Sequence, residues 1–480
     1  MPPPPAPSAA KRVFRIAMCC DFFYPRLGGV EMHIWSLAQC LLRLGHKVVV
    51  LTHAVDGGRA GVRWMTNGLK VYYMPLATLV DNVTYPTFVA NAALFRTILL
   101  RERIDVVHGH QATSALMHEC LAQAKALGFP RTVYTDHSLF GFADAASVHL
   151  NKIMKFSLST VDHAIAVSHT CRENLVLRAS LRADSVSTIP NAVDATKFTP
   201  PTPAERARAL VPGTITVVII SRLVYRKGID LVGRAIQLVC ARCAHVNFVI
   251  GGDGPKRLLL EEMREKHRLH DRVRLVGAVP HARVREVLCQ GHIFLNSSLT
   301  ESFCIAILEA AACGLFVVST RVGGVPEVLP PDMIQFAREI TPEALAEAVL
   351  EAVPRVPHVD RERFHARVAD MYNWHAVAAR TERVYAKVVA RPEMSLLHRL
   401  QLYAGLGPIA GILACLIVAV LQLYLCFLEL WTPASEIEEA LEWDRATRAD
   451  SGRLGLDGAP VREAEEPSRL ARDTRDEKTW

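Results

Sequence analysis

Short apolar runs of strand length alternate along most of this chain with longer segments whose apolar positions recur at helical spacing. In the first part the runs fall at 13–20, 47–52, 71–74, 105–108, 131–135 and 164–168, and in the second at 215–220, 247–250, 273–276, 293–296 and 316–319. Strand runs separated by helix-length segments predict parallel sheets built from strand–helix–strand units. A proline-bearing stretch, Pro190-Asn-Ala-Val-Asp194 with Phe198 and the proline-rich 199–203, divides the two series. The expected fold is therefore α/β, with two Rossmann-like doubly wound domains at 13–195 and 196–371 and a helical segment at 372–399.

The pattern changes at residue 400. From there to residue 428 no charged residue occurs, and the purest apolar part is 409–420. About 20 apolar residues cross a bilayer, so a transmembrane helix is predicted at 402–428. Lys387, Arg391 and Arg399 precede it, whereas Glu429, Glu436, Glu438, Glu439 and Glu442 follow with no Lys or Arg before Arg445. The positive-inside rule then puts the main body in the cytosol and the acidic tail 429–480 across the membrane. Gly407 and Gly411 form a small-xxx-small pair that either packs against another span or is a chance feature of an apolar helix.

Composition narrows the reading. At 480 residues, 50% hydrophobic and 21% charged, the chain is large enough for two full cores. The net charge is +7, and because 431–480 carries thirteen acids and eight bases, the rest stands at +12. Such a balance favours an anionic leaflet, although scattered surface lysines and arginines are the ordinary explanation, and no nucleic-acid partner is expected. The twelve cysteines are dispersed, with Cys240 and Cys243 as an isolated C-x-x-C, which predicts reduced thiols and no structural zinc. Residues 1–12 read as a disordered leader. The run 13–20 is interrupted by Arg15 and followed by Asp21, so it is expected to be a core strand and not a signal peptide. Sequons at Asn82 and Asn296 would lie on the cytosolic side and go unused.

Candidate chemistry sits where strands turn into helices. In Ser298-Leu-Thr-Glu301-Ser-Phe303-Cys304-Ile305-Ala-Ile-Leu-Glu309, the first glutamate falls in the turn and the second inside the helix. Eight residues of helix would span roughly 12 Å, beyond the 5 to 9.5 Å of a glycosidase carboxylate pair. The spacing suits recognition instead: the helix N-terminus faces an anion and the two carboxylates accept hydroxyls on either side, as in a diphosphate between a hexose and a ribose. An amphipathic helix with one solvated glutamate is the plainer alternative. Upstream, the strand 217–221 leads into Arg222, Lys227 and Gly228, a fork and a point charge suited to phosphate oxygens. Gly28-Gly29 follows the first strand and opens another helix, without the spacing of a dinucleotide fingerprint.

In this order the motifs resemble the retaining glycosyltransferases of the two-Rossmann-domain, GT-B architecture, over roughly 13–390. Ile250-Gly-Gly-Asp-Gly-Pro255, Val276-Gly-Ala-Val-Pro280 and Arg321-Val-Gly-Gly-Val-Pro-Glu327 support the likeness. A narrower resemblance, carried by the segment 20–33, His108-Gly-His-Gln111, Tyr134-Thr-Asp-His137-Ser138 and one apolar span near the C-terminus, is to the family of catalytic subunits of phosphatidylinositol N-acetylglucosaminyltransferases, which start glycosylphosphatidylinositol (GPI) anchor synthesis.

The resemblance implies UDP-N-acetylglucosamine (UDP-GlcNAc) as donor and phosphatidylinositol as acceptor. It also implies the endoplasmic reticulum membrane as location and further membrane proteins of the same complex as partners. It makes 13–195 the acceptor- and membrane-facing domain and 196–371 the UDP-sugar domain, with 372–399 crossing back. Arg222 and Lys227 would hold the diphosphate, Glu301 the hexose, Glu309 the ribose and backbone near Val279 the uracil. Gly28 and Gly29 would admit the β-phosphate and acceptor, His137 would touch the sugar, and Phe303, Cys304 and Ile305 would line the helix opening. Many relatives have glycine where Cys304 stands. No Asp-x-Asp occurs, so no cofactor and no obligatory metal is expected in the site. The segment 85–100, with Phe88, Phe95 and Arg96, is either an interfacial element or a helix facing its own sheet. The alternatives are another lipid-directed glycosyltransferase, for example a mannosyltransferase, or a non-catalytic nucleotide-sugar-binding scaffold.

Overall fold

The computed structural model describes residues 12–26, 28–55, 59–79, 82–87, 89–141 and 145–442. The expected leader up to residue 11, Phe88 and the tail from 443 onward lie outside the described residues.

Eight strands build the first sheet: β1 (Arg15–Cys19), β2 (Lys47–His53), β3 (Gly61–Met65), β4 (Leu69–Met74), β5 (Val106–His110), β6 (Arg131–Asp136), β7 (His163–Ala166) and β8 (Val186–Thr188). Their order is β3-β4-β2-β1-β5-β6-β7-β8, parallel throughout except for β3 against β4. Six strands build the second: β9 (Ile215–Ile220), β10 (Val246–Gly251), β11 (Val273–Gly277), β12 (Ile293–Asn296), β13 (Phe316–Ser319) and β14 (Ile334–Phe336), in the order β11-β10-β9-β12-β13-β14 and wholly parallel. Central strands such as β9 and β12 read as near-continuous apolar runs because helices cover both faces of a parallel sheet. Edge strands β3, β8 and β14 have no such run and were not anticipated. Val62 in β3 is half exposed, and β8 and β14 are only three residues long. An edge strand has one neighbour and needs no apolar run.

After the second sheet, the helix Trp374–Val389 returns to the first, where Val377, Ala378, Val384, Tyr385 and Val388 pack with β1 and β2 residues. The Tyr385 hydroxyl lies 2.7 Å from His108 Nδ1, beneath β5.

The apolar segment differs from the expectation of one helix at 402–428. It is broken into Leu396–Ala404 and Pro408–Trp431 by a turn at Gly405–Gly407, with Gly407 at φ +125° and Pro408 opening the second helix. The second helix is long and apolar enough to cross a membrane. A stripe of Gly411, Ala414, Val418, Leu421 and Leu425 is buried, at the three- and four-residue spacing of one helix face. Its upper part packs on Tyr403 and Phe156 and its lower part on Ala92 and Ala126, while Glu429 pairs with Arg96. Gly411 therefore serves an internal contact: a Cβ there would stand 2.5 Å from the Ala404 carbonyl. The opposite face, including Ile409, Leu416, Val420, Leu423 and Phe427, is exposed.

The segment 85–100 resolves in favour of a sheet-facing helix. Within Ala92–Arg101, Phe95, Ile98 and Leu99 are buried in the first core. The Asn296 sequon is also explained, since Asn296 is a buried β12 residue bonded to Ser319 and closed to glycosylation. All twelve cysteines are free thiols, Cys240 and Cys243 included.

Candidate active site

The turn after β9 and the turn after β12 clasp each other. Lys227 ends the short 3-10 turn Tyr225–Lys227, and its ammonium pairs with the Glu301 carboxylate. Ser298 Oγ donates to the same carboxylate oxygen at 2.8 Å, and Ser297 Oγ donates to the Lys227 carbonyl at 2.7 Å. Gly228 is required here: at φ +67° a Cβ would fall 1.9 Å from the Ser297 carbonyl oxygen. Burial pushes the Lys227 ammonium down, but the charge and hydrogen bond of Glu301 outweigh it and leave the group above its ordinary range. A cation that stays charged while half-buried suits an anion.

Glu301 precedes the helix Ile305–Ala312, so the free N–H groups of that helix open beside the pair. Cys304, at the N-cap, has φ +73°, a left-handed conformation that favours glycine. A glycine would take this conformation freely, so Cys304 carries backbone strain here. Burial and Glu301 push its thiol up to about 12, so it stays protonated. The Phe303 side chain turns away into the core against Tyr372, leaving only its backbone toward the cleft. Ile305 faces the other way: its Cδ1 would lie 3.8 Å from a Cβ on Gly29. Glu309, one turn further on, has its Oε1 3.2 Å from His281 Nε2. Val279 lies after β11, with its side chain over Gly251, where a Cβ would meet it at 2.8 Å.

The first sheet supplies the opposite wall. Gly28 and Gly29 open the helix Gly29–Arg43, and the Glu31 carboxylate folds back over Gly28, 2.6 Å from where a Cβ would be. Burial raises the Glu31 carboxyl, with Arg222 and Arg26 opposing that rise. Arg222 from the second sheet thus faces an acid of the first. His137 follows β6 and lies in a cluster with His33 (ring centroids 4.6 Å) and His110 (5.6 Å, stacked). His110 in turn sits on His108 at 4.1 Å, and Trp374 closes the edge of His33 at 5.3 Å. Burial holds His33 down at about 4 and His108 at about 3, and His110 and His137 well below the usual range. All four are neutral near pH 7.

One nitrogen from each of His33, His110 and His137 lies within 4.8 Å of the others, which gives this trio metal-ligating chemistry. All three rings already have a partner, since His33 Nδ1 meets Asn191 Oδ1 at 2.8 Å and His110 Nδ1 meets His137 Nε2 at 3.3 Å.

The walls are joined at the rim. Ser302 Oγ donates to the His137 carbonyl. Glu327 accepts from the backbone N–H of His169 (2.6 Å) and Thr170 (2.8 Å) and from Thr170 Oγ (2.7 Å), capping the first-sheet helix His169–Ala179. The geometry therefore brings Glu301, Arg222, Lys227, Cys304, Ile305, Gly28, Gly29 and His137 to one cleft and places Glu309 and Val279 along it. Sequence reasoning gave no role to His33, His110, Glu31, His281, Ser298 or Glu327. Several stood inside quoted motifs, but only their spatial neighbours give them meaning.

Comparison with known proteins agrees with this layout. A family model described as PIGA (GPI anchor biosynthesis) matches residues 53–144, and one described as glycosyl transferases group 1 matches 214–354. The chain is 54% identical over 428 residues to a phosphatidylinositol N-acetylglucosaminyltransferase subunit of Arabidopsis thaliana, covering 89% of this chain and 94% of that protein. The chain belongs to that family. The human member is 48% identical over 435 residues, covering 90% of this chain and 88% of its own length. Among solved structures, sucrose-phosphate synthase from Thermosynechococcus elongatus superposes with a TM-score of 0.65 at 20% identity, covering 78% of this chain and 99% of that one. The catalytic domain of starch synthase IV from Arabidopsis thaliana gives 0.61 at 17%, covering 79% and 100%. These likenesses establish the GT-B fold, and the family makes the chain a glycosyltransferase. Its members are named as subunits, which points to a complex of several chains.

Proposed function

We propose that the protein transfers N-acetylglucosamine from UDP-GlcNAc to phosphatidylinositol, the first step of GPI-anchor synthesis, with retention of configuration. The observation that carries this reading is the Lys227–Glu301 clasp beside Arg222, set against the Gly28-Gly29 turn and combined with the family assignment. In this mechanism the donor diphosphate meets Arg222, Lys227 and the N-terminus of the helix Ile305–Ala312. Negative charge grows on the leaving UDP, and fixed cations and backbone N–H groups stabilise it there. Glu301 takes hexose hydroxyls and Glu309 the ribose diol, while backbone near Val279 takes the uracil. Binding of the donor frees Glu301 from its ion pair only in part, since Ser298 continues to orient it.

The inositol hydroxyl attacks from the same face as the departing phosphate, which accepts its proton. No side-chain nucleophile is needed. His137, kept neutral by burial, donates or accepts a hydrogen bond at the sugar without bringing a second positive charge. The cationic pair does the work a metal does in other architectures, so the diphosphate needs no obligatory ion.

The apolar helix Pro408–Trp431 anchors the body at the endoplasmic reticulum membrane, on its cytosolic face, with the tail lumenal. Other membrane proteins complete the complex. The deciding experiment uses membranes from cells lacking this protein, restored with wild type, Lys227→Ala or Glu309→Ala, and supplied with radiolabelled UDP-GlcNAc or GDP-mannose. Labelled N-acetylglucosaminyl-phosphatidylinositol from wild type alone, at equal expression, sustains the reading. Mannose transfer would move the donor assignment, and full restoration by both variants would make the chain a scaffold.

A further inference from the structure

Glu309 has a neighbour that its assigned role does not explain. His281 Nε2 lies 3.2 Å from Glu309 Oε1, with the two side chains 30% and 13% exposed. Among the described residues no other side chain is hydrogen-bonded to Glu309. His281 opens the short turn His281–Arg283 immediately after Pro280, two residues past Val279. Its ring is held from behind by Phe198, at 5.7 Å between centroids and an interplanar angle of 70°. Phe198 is buried and belongs to the segment joining the two sheets. The imidazole is thus wedged between that segment and a carboxylate projecting from the helix Ile305–Ala312.

A carboxylate has about four acceptor positions on two oxygens, and a vicinal diol uses two of them in one plane. A single N–H donor on Oε1 removes the rotational freedom of the group and leaves Oε2 and the remaining lone pairs free. We infer that His281 is a positioning residue for donor recognition: it aims the Glu309 carboxylate at the ribose diol of a nucleoside diphosphate sugar. The inference rests on the ribose role of Glu309 proposed above. It makes one loop contribute twice to the nucleoside, with backbone near Val279 at the base and His281 acting through Glu309 on the sugar. It also ties donor affinity to Phe198 and so to the segment between the sheets.

The test uses membranes carrying the full chain with its natural partners, at saturating phosphatidylinositol. Steady-state transfer from UDP-GlcNAc, and inhibition by UDP, 2′-deoxy-UDP and 3′-deoxy-UDP, are measured for wild type, His281→Ala and His281→Gln. Wild type is expected to prefer UDP over the deoxy analogues. His281→Ala is expected to raise KM about tenfold, the size of one hydrogen bond to a charged group, with kcat retained and the preference for UDP reduced. His281→Gln, which keeps an N–H donor, is expected to recover most of both. If wild type does not discriminate against either deoxy analogue, the ribose role of Glu309 fails and this inference with it. If wild type discriminates but His281→Ala keeps the same KM and the same preference, the ribose role stands and His281 has no part in it. A joint loss of kcat, KM and thermal stability that glutamine does not rescue would also overturn the inference, by making His281 purely structural.

Discussion

The two walls of the cleft share one sheet architecture and treat charge in opposite ways. The wall from the second sheet presents ionised groups at the cleft: Lys227 paired with Glu301, and Arg222 nearby. The wall from the first sheet holds four imidazoles, the buried His33, His108 and His110 and the partly exposed His137, all kept neutral by desolvation. In the proposed reaction the donor diphosphate brings its own charge and meets the cations of the second-sheet wall. It is His137, the one imidazole of the four that is not fully buried, that faces the sugar in that reaction, with His33 and His110 packed against it. For the proposed reaction this division sets the anion against the cationic side and the sugar against a neutral side that brings no competing charge.

Removing the cation gives the largest expected effect. Lys227→Ala should lower kcat/KM by about a hundredfold or more, in the range seen when one transition-state stabilising donor is lost. Its thermal unfolding should move little, because the ion pair is half-buried and Ser298 still bonds Glu301. A loss in activity matched by a loss in stability would erase the contrast between the walls.

The neutral wall is tested by pH. Imidazoles held below their unfolded value of about 6.5 take up no proton in the folded state, whereas the unfolded chain does. Stability from these groups is therefore complete above about pH 6.5 and is lost as pH falls toward about 4, by up to about 1.4 kcal/mol per pH unit for each group. Thermal unfolding of the detergent-solubilised protein between pH 7.5 and 5 should show the decline, and replacing His108 by Asn should remove one imidazole's share and make it shallower. A flat profile for wild type would mean that the imidazoles are already charged.

The rim contact comes next. Glu327→Gln weakens the cap on the helix His169–Ala179 and should cost several-fold in kcat/KM, mainly through KM, while each sheet unfolds as before. Limited proteolysis at the segment between the sheets, with and without UDP, would report the opening. An unchanged KM would assign the cap to stability alone.

The smallest effect is at Cys304. Glycine at φ +73° removes strain of about 1–2 kcal/mol and adds chain entropy to the unfolded state of up to about 1 kcal/mol. Cys304→Gly should therefore hold activity and raise stability by about 1 kcal/mol or less, as read by thermal unfolding.

Central strands were legible because parallel pairing buries both faces and so demands unbroken apolar runs, as in 215–220 and 316–319. The cationic turn and the paired glutamates were legible because they occupy strand-to-helix turns, whose chemistry is local. The break at Gly405–Gly407 could have been read from Gly407-Pro408, a glycine–proline stop inside an apolar run. Hydropathy alone located the apolar helix but started it at 402, ahead of that stop, where the helix begins at Pro408. The imidazole cluster had no local signal. His33 comes from a helix, His108 and His110 from β5, and His137 from the end of β6.

Periodicity and adjacency along the chain are enough to dictate two doubly wound sheets, an apolar helix, and a cationic turn whose Lys227 must follow a buried strand. Contacts between remote segments were settled only by folding in three dimensions. The Lys227–Glu301 pair spans 74 positions, the Glu327 cap 158 and the His108–Tyr385 bond 277. Each such contact is formed by packing sheets against returning helices, and no local propensity encodes which side chains that packing brings within reach.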